Sequence, residues 1–193
     1  MARPRKFDEE QAVQAALDAF WRAGYEATST QDLCDATGLG RSSIYNTFGS
    51  KRDLFLRALR RYIEHMTSVQ VANLENDRPV HDKIRDLLTT IVVDETDHLG
   101  DRRGCLVVNT AIELSGRDVE VTALLERDYR RRHAAIKAAI DAGRLDGDID
   151  RDKDADALAH AVIGAVSGIR LAARSGVDRA GLTAIAETTL AAL

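Results

Sequence analysis

The chain has 193 residues, of which 45% are hydrophobic, and a formal net charge of −4. That length supports a well-buried core in one or two domains, and the acidic balance excludes a protein that coats nucleic acid indiscriminately, because sequence-independent binding rests on many Lys and Arg meeting phosphates. Ala, Leu and Arg are abundant, there are two prolines and no sustained period-2 alternation, so the expected class is all-α.

Residues 1–7, MARPRKF, form a basic arm in which Arg3, Arg5 and Lys6 can reach a phosphate or a minor groove, or simply be solvated. A helix follows from Asp8 to Gly24, opened by Asp8-Glu9-Glu10 and carrying Val13, Ala16, Leu17, Phe20 and Trp21 at helical spacing. The stretch from Thr30 to Lys51 reads as two short helices meeting at a tight turn. Leu33, Cys34 and Ala36 give the first an apolar face, Thr37-Gly38-Leu39-Gly40 breaks it, with Leu39 as an apolar plug, and Ile44 and Phe48 lie four apart on the second. A steep exit at a glycine is the geometry of a helix-turn-helix unit, whose second helix can enter a major groove. With Ile44 and Phe48 inward, Arg41, Ser42, Ser43, Asn46 and Thr47 face outward. Arg can take a guanine bidentately, Asn an adenine, and hydroxyls a base edge or phosphate. Tyr45 offers its hydroxyl to a phosphate, Thr30 and Gln31 open the first helix as further DNA-binding candidates, and Lys51, behind the N-cap Ser50, is placed as a phosphate clamp. From Arg41 to Arg61 the basic residues Arg41, Lys51, Arg52, Arg57, Arg60 and Arg61 stand against Asp53 alone, so positive potential is expected to be local to this head.

An apolar stripe from Leu54 to Met66 predicts a helix running past the head, broken at Glu75–Pro79. Another helix extends through Ile84, Leu88 and Val92 to about His98. The loop Leu99 to Gly104 leads into CLVVNTAIEL, where Cys105, Asn109 and Glu113 are polar groups in an apolar run that need partners if buried, and so are candidates for the wall of an effector pocket. If a helix starts at Cys105, Arg102, Arg103 and the helix dipole favour its thiolate; the alternative is a buried small hydrophobe. A long helix to Gly143 follows the Ser115-Gly116-Arg117-Asp118 turn. The acidic run Asp146–Asp152 is not a calcium loop, because Arg151 stands where Gly is needed and Ala157 where a bidentate Glu is needed. Two last helices, from about Asp152 to Arg174 and from Asp178 to Leu193, expose small or apolar faces that want partner helices: Leu158, Ala161, Gly164, Ala165 and Gly168, then Leu182, Ile185 and Ala186. They either finish the chain's own core or form a two-fold four-helix interface.

The run from Phe7 to Leu59, FDEEQAVQAALDAFWRAGYEATST followed by the LCDATGLGRSSIYNTFGSKRDLF block, resembles the DNA-binding domain of the TetR family of bacterial transcriptional regulators. The resemblance implies an N-terminal three-helix helix-turn-helix domain at 1–50, a connecting helix at 51–75, and a helical effector-binding and dimerisation domain at 76–193. It also favours the interface reading of the last two helices. Its implied function is that of a homodimeric repressor, released from a palindromic double-stranded operator by a small-molecule effector.

No catalytic constellation stands up. His65, His81, His98, His133 and His160 form no HExxH, none sits at metal-ligand spacing to a cysteine, and no metal or cofactor is expected. Gly38-Leu39-Gly40 lacks the third glycine and the preceding strand of a dinucleotide loop. The two cysteines, far apart, suit a reducing cytoplasm, and without an N-terminal apolar h-region or a long uncharged apolar run no membrane span is expected. The competing reading is a helical protein that binds or scavenges small molecules, with an incidental turn motif.

Overall fold

The computed structural model describes residues 8–97 and 103–193; the arm at 1–7 and the loop residues up to Arg102 lie outside them. Among the described residues all regular structure is helical: α1 (Glu9–Ala23), α2 (Thr30–Thr37), α3 (Arg41–Phe48), α4 (Lys51–Leu74), α5 (Val80–Asp97), α6 (Leu106–Leu114), α7 (Val119–Asp146), α8 (Ala155–Arg174) and α9 (Arg179–Ala191). Local chemistry sets the ends. Asp8 caps α1 through the amides of Glu10 and Gln11, Ser29 and Asp32 close a capping box on α2, and Ser50 accepts from the Asp53 amide at 3.0 Å to start α4. α7 runs three residues beyond the expected Gly143, and the Gly143 carbonyl then takes the amides of Asp148 and Ile149.

Contacts divide the chain differently from its sequence blocks. One compact unit comprises the described part of Met1–Glu64 together with Cys105–Thr122; the other comprises the described part of His65–Gly104 together with Ala123–Leu193. This division differs from the expected boundaries at 50 and 75: α4 contributes to both units, and α6 groups with the head.

The head buries Ala16, Leu17, Phe20, Leu33, Ile44, Phe48, Leu54, Phe55, Ala58 and Leu59. Phe20 meets Phe55 edge-on at 5.1 Å, and Trp21 meets Tyr62 at 5.0 Å. α6 and the turn after it are bound to this core by carboxylates. Both oxygens of Glu113 accept backbone amides of the α1–α2 turn, Tyr25 at 3.0 Å and Glu26 at 2.7 Å. Asp118 accepts the fork of Arg52 at 2.6 and 2.8 Å while also taking the amides of Glu120 and Val121 at the start of α7. Glu120 receives Arg52 and Arg60.

The second unit is built on a cluster from α5, α7, α8 and α9 that includes Ile84, Leu88, Ile91, Ile140, Ala159, Val162, Val166, Ile169, Leu182, Ala186 and Leu190. Leu182 and Ala186, expected at an intermolecular face, are thus core residues of the chain itself. α8 is long and apolar enough by composition to cross a membrane; in the structure its apolar stripe packs in this cluster. The buried Asp128 carboxylate is held by Thr67 Oγ1 at 2.5 Å and Arg132 Nε at 3.0 Å.

Gly143 and Val80 touch so closely that a Cβ at 143 would lie 2.3 Å from Val80 Cγ1. Gly143→Ala should therefore destabilise by about 1–3 kcal/mol in urea unfolding, despite alanine's better helix propensity, and adding Val80→Ala should recover part of that loss; an unchanged midpoint for the single variant would contradict the packing. The Arg52 guanidinium, helped by the amides at the start of α7, lowers the Asp118 pKa from 3.8 to about 2. The folded value lies below the unfolded one, so this contribution is complete above pH 3.8 and fades as pH falls toward 2. Over that window the wild type should lose more stability than Asp118→Asn, measured by denaturant midpoint at each pH; equal losses would remove Asp118 from the acid response.

Candidate nucleic-acid interface

α2 ends at Gly38, whose left-handed φ of 69° is a conformation other residues adopt at a cost, and whose amide bonds back to Cys34. Gly40 then starts α3 without a side-chain cap. The burial of Ile44 and Phe48 fixes the rotation of α3, and Arg41, Ser42, Ser43, Tyr45 and Asn46 are exposed, with Thr47 half-buried. This is the outward set expected from the helical period. Two supporting expectations need correction: Ala36 is exposed and takes no part in the apolar face of α2, and Leu39 is only half-buried.

The remaining DNA-binding candidates lie in the same unit. Thr30 Oγ1 and Tyr45 Oη are 3.3 Å apart, linking the first turn of α2 to α3. Gln31 donates to Asp35 along its own helix at 2.8 Å. Lys51 opens α4 with Nζ 3.4 Å from the Glu26 carbonyl and 4.5 Å from the centre of the Tyr25 ring. An ammonium has three donors, so Lys51 keeps protons that an anion could accept.

The expected basic patch is thinner than the sequence suggests. Arg52 is taken by Asp118 and Glu120, Arg57 by Glu9, Arg60 by Glu120 and Arg61 by Glu10. Among the described residues of the Arg41 to Arg61 run, Arg41 and Lys51 have no ion pair, and both flank α3. The acids responsible come from α1 and from the segment around 118–120, distant in sequence, so counting charges along the run overstates the patch.

The proposed effector residues separate. Cys105 precedes α6 as its N-cap, is 3% exposed, and receives the Tyr62 hydroxyl at 3.6 Å, which fits the buried small hydrophobe. Asn109 is half-buried on α6. Glu113, expected on a pocket wall, instead has both oxygens committed to the α1–α2 turn. Sequence reading treated Asp118 as a turn residue; its place ahead of a helix signalled the cap, but nothing local signalled Arg52. Of the small-residue faces, Leu158, Ala165, Gly168 and Ile185 are half-buried and Ala161 and Gly164 exposed, and a Cβ at Gly164 or Gly168 would meet nothing within 4 Å.

Comparison with known proteins agrees with this geometry. The description of bacterial regulatory proteins of the tetR family matches residues 12–58, and that of the tetracyclin repressor-like C-terminal domain matches residues 79–188. The uncharacterized HTH-type transcriptional regulator YezE of Bacillus subtilis (strain 168) is 33% identical over 76% of this chain and 77% of its own length. The HTH-type transcriptional repressor ComR of Escherichia coli (strain K12) is 29% identical over 97% of this chain and 90% of its own. A cysteine-substituted form of the TetR family regulator CifR, solved with 26-base-pair double-strand operator DNA, superposes with a TM-score of 0.85 at 31% identity over 99% of each chain. With its helix-turn-helix head and both family regions matched, the chain belongs to the TetR family of DNA-binding transcriptional regulators.

Proposed function

We propose that the protein is a cytoplasmic repressor that binds a near-palindromic operator as a homodimer and is released by a small-molecule effector. The observation that carries the DNA-binding half is the rotation of α3: Ile44 and Phe48 are buried, and Arg41, Ser42, Ser43 and Asn46 face out between Tyr45 and Lys51. The naming of ComR as a repressor and the operator complex of CifR support the same reading. In it, Arg41 and Asn46 read base edges, Ser42, Ser43 and Thr47 meet bases or phosphates, and Thr30, Gln31, Tyr45 and Lys51 position the backbone.

Effector release has a physical route in the head itself. Cys105 and Asn109 lie on or beside α6, and Glu113 of that helix holds the turn between α1 and α2. A ligand that binds beside Cys105 and Asn109 and displaces α6 pulls on the support of the helix-turn-helix. Two heads then no longer match adjacent major grooves. The competing small-molecule scavenger has no use for the polar face of α3 and would show no salt-dependent DNA binding.

An operator selected from random duplex, with fluorescence anisotropy at several salt concentrations, tests the interface. Lys51→Ala should weaken every duplex alike and reduce the salt slope by about 1, whereas Arg41→Ala or Asn46→Ala should cost roughly 1–3 kcal/mol on the selected site and relax its preference. Tyr45→Phe should cost about 0.5–1.5 kcal/mol. Unchanged affinities for all four variants would rule out this face. For assembly, the open space at Gly164 makes substitution there harmless to the single chain, so Gly164→Asp should yield folded monomers in sedimentation while Gly164→Ala stays folded. A wild type that sediments as a folded monomer at micromolar concentration would sink the dimer.

A further inference from the structure

Outside the DNA-binding and α6 regions, two histidines, a tyrosine and an aspartate converge on one point of the second unit. His133 lies one turn after Tyr129 on α7, and His160 lies one turn after Asp156 on α8. The His133 and His160 rings are 4.2 Å apart, and the Tyr129 ring stacks beside both, at 6.3 and 5.9 Å. One ligand atom from each of His133, Asp156 and His160 can be chosen so that all three lie within 4.8 Å of one another. Two i, i+4 pairs on facing helices thus present two imidazoles and a carboxylate to a common centre.

The separations are informative. His133 Nε2 is 3.4 Å from Asp156 Oδ1 and His160 Nε2 is 3.6 Å from Asp156 Oδ2. These are long for hydrogen bonds to a carboxylate. The shorter of them is close to the roughly 3.3 Å edge of a tetrahedron whose metal–ligand bonds are about 2.0–2.1 Å, as for zinc with nitrogen and oxygen. His133 Nε2 is, moreover, shielded from solvent and makes no hydrogen bond, an arrangement that is costly for a buried polar atom unless something else takes its lone pair. His160 has the matching outer partner: its Nδ1 lies 2.6 Å from the Tyr129 hydroxyl. If Nδ1 carries the proton and donates it to Tyr129, Nε2 is left as the lone-pair nitrogen that faces Asp156, which is how an outer-shell group fixes a ligand's tautomer. Nearby cations do not compete for the centre, because Lys137 is engaged with Asp141 at 2.6 Å and Arg132 with Asp128 at 3.0 Å.

We propose that His133, Asp156 and His160 form a three-ligand site for a borderline divalent transition-metal ion, with zinc as the tetrahedral case, clipping α7 to α8. Imidazole and carboxylate donors select this class over magnesium or calcium, which need oxygen-rich shells. Three protein ligands leave a fourth position open, and the half-exposed rim at Asp156 and His160 keeps it accessible to water or another donor. The site goes beyond operator binding and stands independently of it. Sequence alone does not disclose it, because neither helix carries more than one of the histidines.

The test uses full-length, tag-free protein stripped with a chelator. Calorimetric titration with zinc chloride should give one ion per chain, and cobalt should produce the visible absorption of a tetrahedral nitrogen/oxygen complex, while magnesium gives neither. His133→Ala and His160→Ala should each weaken zinc binding at least a hundredfold, Tyr129→Phe by about tenfold through its outer-shell role, and a His65→Ala/His81→Ala control should bind as the wild type does. Circular dichroism confirms that each variant is folded. Absence of saturable zinc binding to the wild type, or equal binding by a His133→Ala/His160→Ala double variant, overturns the proposal.

Discussion

Two carboxylates decide which part of the chain the DNA-binding head belongs to. Glu113 satisfies backbone amides that the α1–α2 turn leaves without helical partners, and Asp118 joins the guanidinium of Arg52 to the first amides of α7. Each bond of this kind joins a charge to a fixed donor and is shorter and stronger than a neutral bond would be. Together they bring residues 105–122 into the same compact unit as α1, α2 and α3. The head is therefore not a module read off the first quarter of the sequence; its support is inserted from the middle.

That arrangement explains what could be read from sequence and what could not. The class and several helix ends were legible because their causes are local: Asp8 and Ser50 at helix starts, Gly24 and Gly38 as stops, and the four-residue spacing of Ile44 and Phe48; the cap at Ser29 was missed although its cause is equally local. The same periodicity told which side chains of α3 face out. Partnerships across the fold leave no periodic trace. Leu182 and Ala186 have the pattern of any amphipathic helix, and only the packing of α9 shows that this stripe is used within the chain. Glu113 reads as a polar intruder in an apolar helix until the amides of Tyr25 and Glu26 are beside it.

Charge follows the same rule. A run of six basic residues between Arg41 and Arg61 suggests a broad cationic surface, yet α1 and the 118–120 region supply acids to Arg52, Arg57, Arg60 and Arg61. These arginines serve the head's architecture. Arg41 and Lys51 are left next to the polar face of α3, so the positive charge sits beside that face and not over the whole domain. This placement suits a regulator of specific sites in a chain whose net charge is negative.

The double duty of Asp118 has a consequence for how the head breathes. Its Oδ1 caps α7 and also receives Arg52 of α4, whose guanidinium holds Oδ2 as well, so fraying of the first turn of α7 and undocking from α4 are a single event. The amide protons of Glu120 and Val121 are then internal reporters of docking, and those of Tyr25 and Glu26, held by Glu113, report the other contact of the same segment. Hydrogen exchange at these four positions measures the opening free energy of the segment directly, resolved from global unfolding. Four backbone protons thus act as a gauge of how tightly the middle of the chain grips the part that faces DNA.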